Sequence, residues 1–598
     1  MLAIVKESER LFNTVTHGCT FDLRMPNFLR NPTSTFKLLA AFLVISFYLI
    51  LGGFPSTGPR IRKNPPFGAH IQFEGWKNNS GAADEAKADQ VANAMRHTFW
   101  KYREYAWGYD DIKPVSGGNK TSRNGWGAFI VDTTTTLALM GLWDELALEV
   151  DHIIDSIDFN IAHGLVDPFE TTIRYLGALV SLTDLLDAGI VPSSAINSTK
   201  RDAILAQAVT LANKLAPCFD SPTGMIWPRV NFTTDLGVPD PPLVYKLDSL
   251  KPRYKNPSIG PARAGSNILE NRVLSRLTNN QVYLSNATRA WAPLVWSSYI
   301  TSWPGMVDAP FDIVTGEPVG RQRHWDAGHD SYYECLLKIA LLAPKDRYTQ
   351  TYKNKWLAAA DSLRYRIASR SAPSPKHDTQ HLFMGKQNDN WFINEQSHLA
   401  CFAAGNVMLG GRYFDRPNFI SLGKALLEAC HHTYASTPTH IGPGIWSWIP
   451  KFGYDNATFQ PSTARQEDEL KEHGFWVADA KYRLRPEYVE SLFYAYRITG
   501  EQRYRDWAWD AFVAFETHCK TPYGYAGLRD VMRKPRSVDL EEEALAQNEG
   551  EGWWIDESES FWGAETLKYL WLIFADKEVG SLDRWVYSTE GHPFRMIR

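Results

Sequence analysis

The stretch LRPEYVESLFYAYR, residues 484–497, has the spacing of an α-helix with one continuous apolar face. That face is formed by Val489, Leu492, Phe493 and Tyr496. Glu487 and Glu490 lie three residues apart on one side of the first turn, away from the apolar face. Acidic residues at a helix start interact favourably with the helix dipole, and Pro486 suits the first helical position. Taken alone, the stretch predicts a helix whose start is exposed to solvent.

Helical spacing continues through most of the chain from about Ala82 onward. Some segments, such as TLALMGL, YLGALVSL, SLFYAYR and LKYLWLIF, are apolar on nearly all sides, whereas others, such as RDAILAQAVTLANKL, alternate apolar with charged residues. Helices that are apolar all round belong in an interior layer. We find no comparable series of alternating strands. The pattern predicts one large all-α domain, residues 82–598, with an inner ring of helices inside an outer ring. Long connectors such as residues 220–260 would lie over one end, where sites tend to be built.

The composition is that of a globular protein with a surplus of aromatic residues. The 598 residues include 22 Trp, 26 Tyr and 30 Phe, and 44% of the chain is hydrophobic. Stacking on sugars is one use for such a surplus. The net charge of −4 gives no basic face for nucleic acid, so we exclude nucleic-acid binding.

An uncharged run of 17 residues, LLAAFLVISFYLILGGF (38–54), reaches the lower limit for a helix that spans a bilayer. No small-residue cleavage site follows it, which favours a membrane anchor over a removed signal peptide; a buried core helix is the alternative. The sequence thus predicts a short tail at residues 1–37, a transmembrane signal anchor at 38–54 and a stem at 55–81. Basic residues flank the run on both sides, so they do not fix its orientation.

Six N-x-Ser/Thr triplets follow the run and none precedes it. They begin at Asn78, Asn119, Asn197, Asn231, Asn286 and Asn456. N-glycosylation occurs in the secretory pathway, so this distribution favours a cytoplasmic tail and a luminal body, which is a single-pass type II topology. The sequence leaves the endoplasmic reticulum and the Golgi membrane open as locations.

Two of the six cysteines lie in segments that invite pairing, HLAC (Cys401) and EACHH (Cys430). Together with His398 and His431 they could form a zinc site. In an oxidising lumen a disulfide is the simpler interpretation, and it would stabilise the fold by roughly 3 kcal/mol on the chain-entropy model. The remaining cysteines are expected to be free thiols: Cys19, Cys218, Cys335 and Cys519.

Acidic residues also begin other helices of the interior type. These residues are Asp167 and Glu170, then Asp330 and Glu334, and also Glu565. Each has an ordinary explanation, such as a helix cap, a capping box or an ion pair one turn along the helix. A ring of such helices would nevertheless bring the acids together at one mouth. Glycoside hydrolysis requires two separated carboxyl groups, one protonated and one ionised, so the pattern predicts a glycosidase.

Seven motifs occur in an order and spacing that resemble a known family. They are HTFWKYREYAWGYDDIKPVSG, FETTIRYLGALVS, DSYYECLLK, SHLACF, RPEYVESLFYAYRITG, ESFWGAETLKYLWLIF and VYSTEGHP, between residues 97 and 593. The family is the class I α-1,2-mannosidases, glycoside hydrolase family 47, and the resemblance is to fungal-type members. It implies an (α/α)7 barrel with one calcium ion, inverting hydrolysis of terminal α-1,2-linked mannose on high-mannose N-glycans, and a monomer anchored by a single N-terminal helix.

The resemblance also implies roles for individual residues. Glu170 resembles the general acid, Glu487 the base, and Asp330 a third essential carboxylate, which leaves open whether Glu170 or Asp330 delivers the proton. Thr589 resembles the direct calcium ligand, which accords with the oxygen donors that calcium prefers. Residues similar to those of the sugar subsite are Arg174, Glu334, His398, Arg485, Glu490, Phe561, Glu565 and Glu590. Cys401 and Cys430 match a bridged pair.

Two positions depart from the family pattern, because Thr135 and Gly444 stand where acidic residues are usual. Both are expected near the sugar groove, so altered substrate preference or reduced activity follows as an expectation. The departures motivate a second hypothesis, a mannose-binding, lectin-like quality-control protein with little turnover. A third hypothesis is a helical-barrel hydrolase that acts on another α-linked sugar.

Overall fold

The structure is a computed structural model that describes residues 70–78, 83–240, 256–297, 299, 301, 303–376, 378–452, 458–534 and 552–597. The predicted tail and membrane anchor lie outside these residues. Within them, no helix combines the length and the apolar composition that crossing a bilayer requires.

Fourteen helices of the described residues form two rings. In chain order they are α1 (Glu85–Tyr105), α2 (Ala128–Met140), α3 (Trp143–Asp155), α4 (Gly177–Asp187), α5 (Ser198–Leu215), α6 (Ile268–Thr278), α7 (Gln281–Ala290), α8 (Asp330–Leu342), α9 (Thr349–Ser362), α10 (Phe402–Tyr413), α11 (Pro417–Ala435), α12 (Glu487–Thr499), α13 (Gln502–His518) and α14 (Leu567–Phe574). Further helical segments are Glu74–Asn78, Pro168–Thr171, Thr172–Leu176, Ala216–Phe219, Pro261–Gly265, Ala292–Val295, Leu363–Ile367, His398–Cys401, Ala464–His473 and Trp562–Thr566.

The even-numbered helices form the inner ring. Each packs against the next even-numbered helix, and the ring closes where α14 and the preceding turn, Trp562–Thr566, pack against α2. Burial separates the two rings as the sequence predicted: inner helix α12 is buried from Glu487 to Ile498, whereas outer helix α5 buries one narrow stripe. The expected (α/α)7 barrel is therefore confirmed.

The strands are short and antiparallel, two to six residues each, which is too short for a period-two pattern to stand out in the sequence. One five-stranded sheet has the order Trp391–Ile393, Lys386–Asn388, Pro318–Arg323, Ala309–Asp312, Ser258–Ile259. A three-stranded sheet has the order Glu395–Ser397, Ile445–Ser447, Trp476–Asp479. Two-stranded pairs are Asp111–Lys113 with Gly118–Lys120, Arg229–Asn231 with Leu236–Val238, Ala368–Arg370 with Leu382–Met384, Lys520–Thr521 with Gly524–Tyr525, Gly527–Leu528 with Trp554–Ile555, and Trp585–Tyr587 with Pro593–Arg595.

The last of these pairs, which we call the C-terminal hairpin (585–595), lies against inner helices α4 and α8 and is almost wholly buried. The Ser181 hydroxyl donates to the carbonyl of Pro593 over 2.6 Å, and the backbone N–H of Arg595 donates to the Asp184 carboxylate over 3.1 Å. The hairpin turn carries Thr589 and Glu590 and is closed at Gly591, whose φ of 68° favours glycine. The hairpin thus fills the barrel that the helices enclose.

The predicted disulfide between Cys401 and Cys430 is present, with the two Cα atoms 6.1 Å apart. It joins the start of inner helix α10 to outer helix α11. The alternative of a zinc site at these residues is wrong, because the two sulfur atoms are bonded to each other. Cys218, Cys335 and Cys519 are free and buried, as expected, and Cys19 lies outside the described residues.

We predict that replacing Cys401 and Cys430 together with serine lowers the free energy of unfolding by about 3 kcal/mol, because the bridge closes a loop between residues 29 apart in sequence. Urea unfolding followed by tryptophan fluorescence measures the change. Dithiothreitol should destabilise the wild-type protein and leave the double variant unchanged. Equal sensitivity of both proteins to dithiothreitol would contradict the assignment.

Candidate active site

Carboxylates gather at one end of the barrel because all inner helices run in the same direction. Each outer helix returns the chain, so the starts of the inner helices meet at a single mouth. Asp330 begins α8 and Glu487 begins α12, while Glu170 and Glu565 lie in the helical segments that lead into α4 and α14. The predicted gathering of these acids is confirmed as geometry.

Glu487 is held in place by two neighbours, His398 and Arg485. Nδ1 of His398 lies 2.8 Å from Oε2 of Glu487, and Nη1 of Arg485 lies 3.6 Å from Oε1. Burial alone would raise the pKa of Glu487, but His398 and Arg485 outweigh burial and lower it. Glu487 is therefore ionised at neutral pH.

The backbone just before Glu487 is strained. Leu484 has φ of 61°, a left-handed conformation that is costly for a residue with a branched side chain. Its carbonyl accepts a hydrogen bond from the Thr566 hydroxyl over 2.8 Å, which ties this bend to the segment that leads into α14. The bend brings Arg485 beside Glu487.

Glu170 lies between two arginines. Its Oε2 atom accepts from Nε of Arg174 over 2.9 Å and lies 2.9 Å from Nη1 of Arg123. Burial favours the neutral acid, but the two guanidinium groups together outweigh it and hold the pKa of Glu170 below its ordinary value. Arg174 also donates to Glu590 on the hairpin turn. Glu170 is thus a charged residue at the mouth.

The pKa of Asp330 shifts in the opposite direction. Burial is the main cause that raises its pKa to about 7, and the nearby carboxylates of Asp326 and Glu334 add to the rise. Its Oδ1 atom accepts from the backbone N–H of Ser331 over 2.8 Å. Asp330 therefore retains a proton over much of the range up to neutral pH.

The floor of the mouth is the hairpin turn surrounded by further carboxylates. The Thr589 hydroxyl donates to Oε2 of Glu334 over 3.1 Å, and Lys338 donates to the other oxygen of Glu334. Burial and neighbouring carboxylates raise the pKa values of Glu490 and Glu565, and burial raises that of Glu590 to about 8 although Arg174 opposes the rise. Carboxylates crowded in this way are neutralised either by protonation or by a bound cation.

Phe561 presents an aromatic ring at the same mouth. The guanidinium carbons of Arg174 and Arg485 lie 5.6 Å and 5.8 Å from the ring centroid, so the ring lies between the Glu170 and Glu487 sides of the mouth. Such a ring suits stacking on a sugar. With Phe561, all twelve residues predicted for catalysis, sugar and calcium lie in one connected cluster.

Sequence reasoning missed several members of this cluster. They are Arg123, Asp132, Glu270, Lys338, Lys568 and His592. Three of them were detectable. Asp132 and Lys568 are each the single charge of an otherwise apolar inner helix, and Lys338 lies one helical turn after Glu334. Burial raises the pKa of Glu270 to about 8, and its Oε2 atom has no hydrogen-bond partner, which leaves an acceptor for a water or ion.

The two departures from the family pattern fit the structure without disturbing Glu487. Thr135 is buried, and its hydroxyl accepts from Nζ of Lys568 over 2.9 Å and lies 3.0 Å from Nδ1 of His592. The carbonyl of Gly444 accepts from the backbone N–H of His398 over 2.9 Å. A Cβ atom at Gly444 would lie 2.8 Å from the carbonyl oxygen of Lys481, so the backbone here leaves no room for a side chain.

Comparison with known proteins agrees with this geometry. Residues 94–596 match the family model described as glycosyl hydrolase family 47. The mannosyl-oligosaccharide alpha-1,2-mannosidase of Penicillium citrinum is 34% identical over 86% of this chain and 93% of its own length. Mannosyl-oligosaccharide alpha-1,2-mannosidase 1B of Aspergillus phoenicis is 35% identical over 87% and 93%.

A solved structure matches over the same region. The alpha-1,2-mannosidase from Trichoderma reesei superimposes with a TM-score of 0.75 at 32% identity, covering 86% of this chain and 100% of that chain. The family model and these relatives span the barrel, the hairpin and the carboxylates at the mouth. The chain belongs to glycosyl hydrolase family 47.

Proposed function

We propose that the chain removes terminal α-1,2-linked mannose from high-mannose N-glycans and inverts the configuration of the released sugar. The observation that supports this most strongly is that Asp330 and Glu487 both begin inner helices at one mouth while their pKa values shift in opposite directions, that of Asp330 up to about 7 and that of Glu487 down. Glu487, fixed by His398 and Arg485, takes a proton from the attacking water, and a carboxylic acid gives a proton to the departing sugar oxygen. The sugar and the linkage are those that the similar mannosyl-oligosaccharide alpha-1,2-mannosidases act on.

Asp330 is our choice for the proton donor. Glu170 has this role by resemblance, but Arg123 and Arg174 hold it charged, whereas Asp330 has a pKa of about 7. In this assignment Glu170 fixes Arg174 and, through it, Glu590 and the sugar subsite. Phe561 stacks on the mannose ring, and the remaining carboxylates accept hydrogen bonds from its hydroxyls.

The residues at the hairpin turn fit a calcium ion. Thr589 offers a hydroxyl and a carbonyl oxygen, and the carboxylates of Glu270, Glu334, Glu490, Glu565 and Glu590 surround the turn. Oxygen donors are those that calcium prefers, and it tolerates water among its ligands. Thr589 would hold the ion directly, with carboxylates bonded to its waters. When bound, calcium supplies positive charge that orients sugar hydroxyls at the floor.

We also propose that the protein acts in the lumen of the secretory pathway, behind the predicted anchor at residues 38–54. The Cys401–Cys430 disulfide suits an oxidising compartment. Asn119 and Asn197 are exposed and can accept glycans. The lectin-like alternative rested on Thr135 and Gly444, and both positions leave Glu487 and its neighbours in place.

We predict that the full chain releases mannose from a high-mannose N-glycan and that Glu487→Gln lowers kcat at least about 100-fold, because the amide cannot accept the proton of water. Chromatography of the glycan products measures release. Glu467→Gln, which alters an exposed glutamate of a surface helix, should keep wild-type activity. Sugar binding without release in the wild type would favour the lectin-like protein, and glucose release would favour the third hypothesis.

We predict that kcat/KM falls as the pH rises through about 7, because Asp330 loses its proton there. On the acid side we expect kcat/KM to fall only at a pH below the ordinary pKa of a glutamate, where Glu487 gains a proton. The substitution Asp330→Asn should remove the alkaline fall together with most activity on glycans. It should spare hydrolysis of α-mannosyl fluoride, whose leaving group needs no proton. If Glu170→Gln spares the fluoride and Asp330→Asn does not, Glu170 is the donor.

We predict that Thr589→Val weakens calcium binding about tenfold or more, because it removes one of the two ligand oxygens of this residue. Calorimetric titration of chelator-treated protein with calcium measures the affinity, and added calcium should raise the Tm of the wild type. The control Thr517→Val changes an exposed threonine of α13 and should bind as the wild type does. Wild-type affinity in Thr589→Val would place the ion elsewhere.

A further inference from the structure

We propose that Tyr434, on outer helix α11, is a positioning residue that acts through His398 to hold Glu487 in its working orientation. This inference rests on the proposed role of Glu487 as the base. Tyr434 was not among the residues that the sequence singled out, and it reaches the site from the outer ring.

The chain of hydrogen bonds runs from Tyr434 to Glu487. The Tyr434 hydroxyl oxygen lies 2.8 Å from Nε2 of His398, and Nδ1 of His398 lies 2.8 Å from Oε2 of Glu487. Tyr434 is 3% exposed and His398 is 2% exposed, so water does not compete for these bonds. An ionised carboxylate only accepts, so Nδ1 must carry a hydrogen. On the neutral ring, Nε2 is then an acceptor, and the Tyr434 hydroxyl donates to it.

Tyr434 is itself fixed from several sides. Its ring stacks on Tyr488 with centroids 4.1 Å apart, and its hydroxyl shares a hydrogen bond with Tyr482. The Tyr482 hydroxyl has a further acceptor, the carbonyl of Arg485 at 3.2 Å. Without the Tyr434 hydroxyl, Tyr482 therefore still has a hydrogen-bond partner, whereas His398 loses one.

The disulfide restrains the same two segments. Cys401 lies three residues after His398, and Cys430 lies four residues before Tyr434, so each cysteine is about one helical turn from a partner in the hydrogen bond. The covalent bond and the hydrogen bond thus form two neighbouring links between the start of α10 and the end of α11. This arrangement keeps Tyr434 within reach of His398.

Without the Tyr434 hydroxyl, His398 can move its hydrogen to Nε2. That tautomer turns a lone pair toward the Glu487 carboxylate and removes the bond that favours the ionised base. The titratable and charged groups that face Glu487, His398 and Tyr434 are Arg485, Tyr482, Tyr488, Glu490, Glu565 and Cys519. Arg485 still favours the ionised form, so the loss is partial.

The test is Tyr434→Phe in the full chain, with kcat and KM for mannose release measured from acid to alkaline pH. We expect kcat to fall about tenfold, the effect of one buried hydrogen bond, with KM within about twofold. We also expect the acid limb of kcat/KM to move to higher pH by about half a unit or more. A purely structural role would lower Tm without moving that limb.

The matched control is Tyr488→Phe. Tyr488 is equally buried, belongs to the same stack and uses its hydroxyl to bond Nδ1 of His431 over 2.7 Å, away from Glu487. The Tm of Tyr488→Phe should fall by about as much as that of Tyr434→Phe, while its kcat and pH profile remain those of the wild type. Should Tyr434→Phe fail to fold when Tyr488→Phe folds, Tyr434→His and Tyr434→Gln, which keep a polar group, provide the comparison.

A double-mutant cycle with His398→Ala decides whether Tyr434 acts through His398. If it does, adding Tyr434→Phe to His398→Ala changes kcat less than about twofold. Additive losses, or a Tyr434→Phe enzyme that matches Tyr488→Phe in kcat and pH profile, would overturn the inference. A wild-type chain that releases no mannose would instead refute the proposed function, and the inference with it.

Discussion

The electrostatic balance at the barrel mouth is the constraint on which the rest of the structure depends. Four carboxylates lie in the protein interior, those of Asp132, Glu170, Glu487 and Glu590. A charged carboxylate is unfavourable there unless it is paired. Arg174 meets three of these groups at once, and His398 and Arg485 hold the fourth. The inner ring must keep its register for these pairs to form.

The same balance sorts the acids by protonation state. Burial raises the pKa values of Asp330 and Glu565, and that of Glu590 although Arg174 opposes the rise, whereas cationic or hydrogen-bonding neighbours outweigh burial and lower the pKa values of Glu170 and Glu487. Asp330 and Glu487 thereby differ in charge although both begin inner helices. In the mechanism that we propose, position along the barrel mouth, and not residue type, therefore distinguishes the acid from the base.

Much of the fold followed from the sequence because apolar helices and amphipathic helices differ in pattern. The inner helix α12 and the outer helix α5 were assigned correctly to their rings on that basis. The acids at helix starts were also predicted to meet. A helix cap or an ion pair explains any one of them, but not their repeated occurrence at the starts of several inner helices. Partners such as Arg123 and Tyr434 were not found, because their importance lies in contacts between segments far apart in the chain. The motif VYSTEGHP was singled out, but the strands of the C-terminal hairpin were not predicted, because three-residue strands have no readable period.

The position of that hairpin in the chain has a consequence for biosynthesis. A ribosome delivers residues in order, so all fourteen helices emerge before Thr589 and Glu590 do. Glu170, Asp330 and Glu487 are then already present. The cavity that they surround still lacks its floor, and Arg174 lacks Glu590, one of its ion-pair partners. Insertion of residues 585–595 between α4 and α8 must therefore follow synthesis of all fourteen helices, and the cluster that we propose as the active site is incomplete until that segment has entered the barrel.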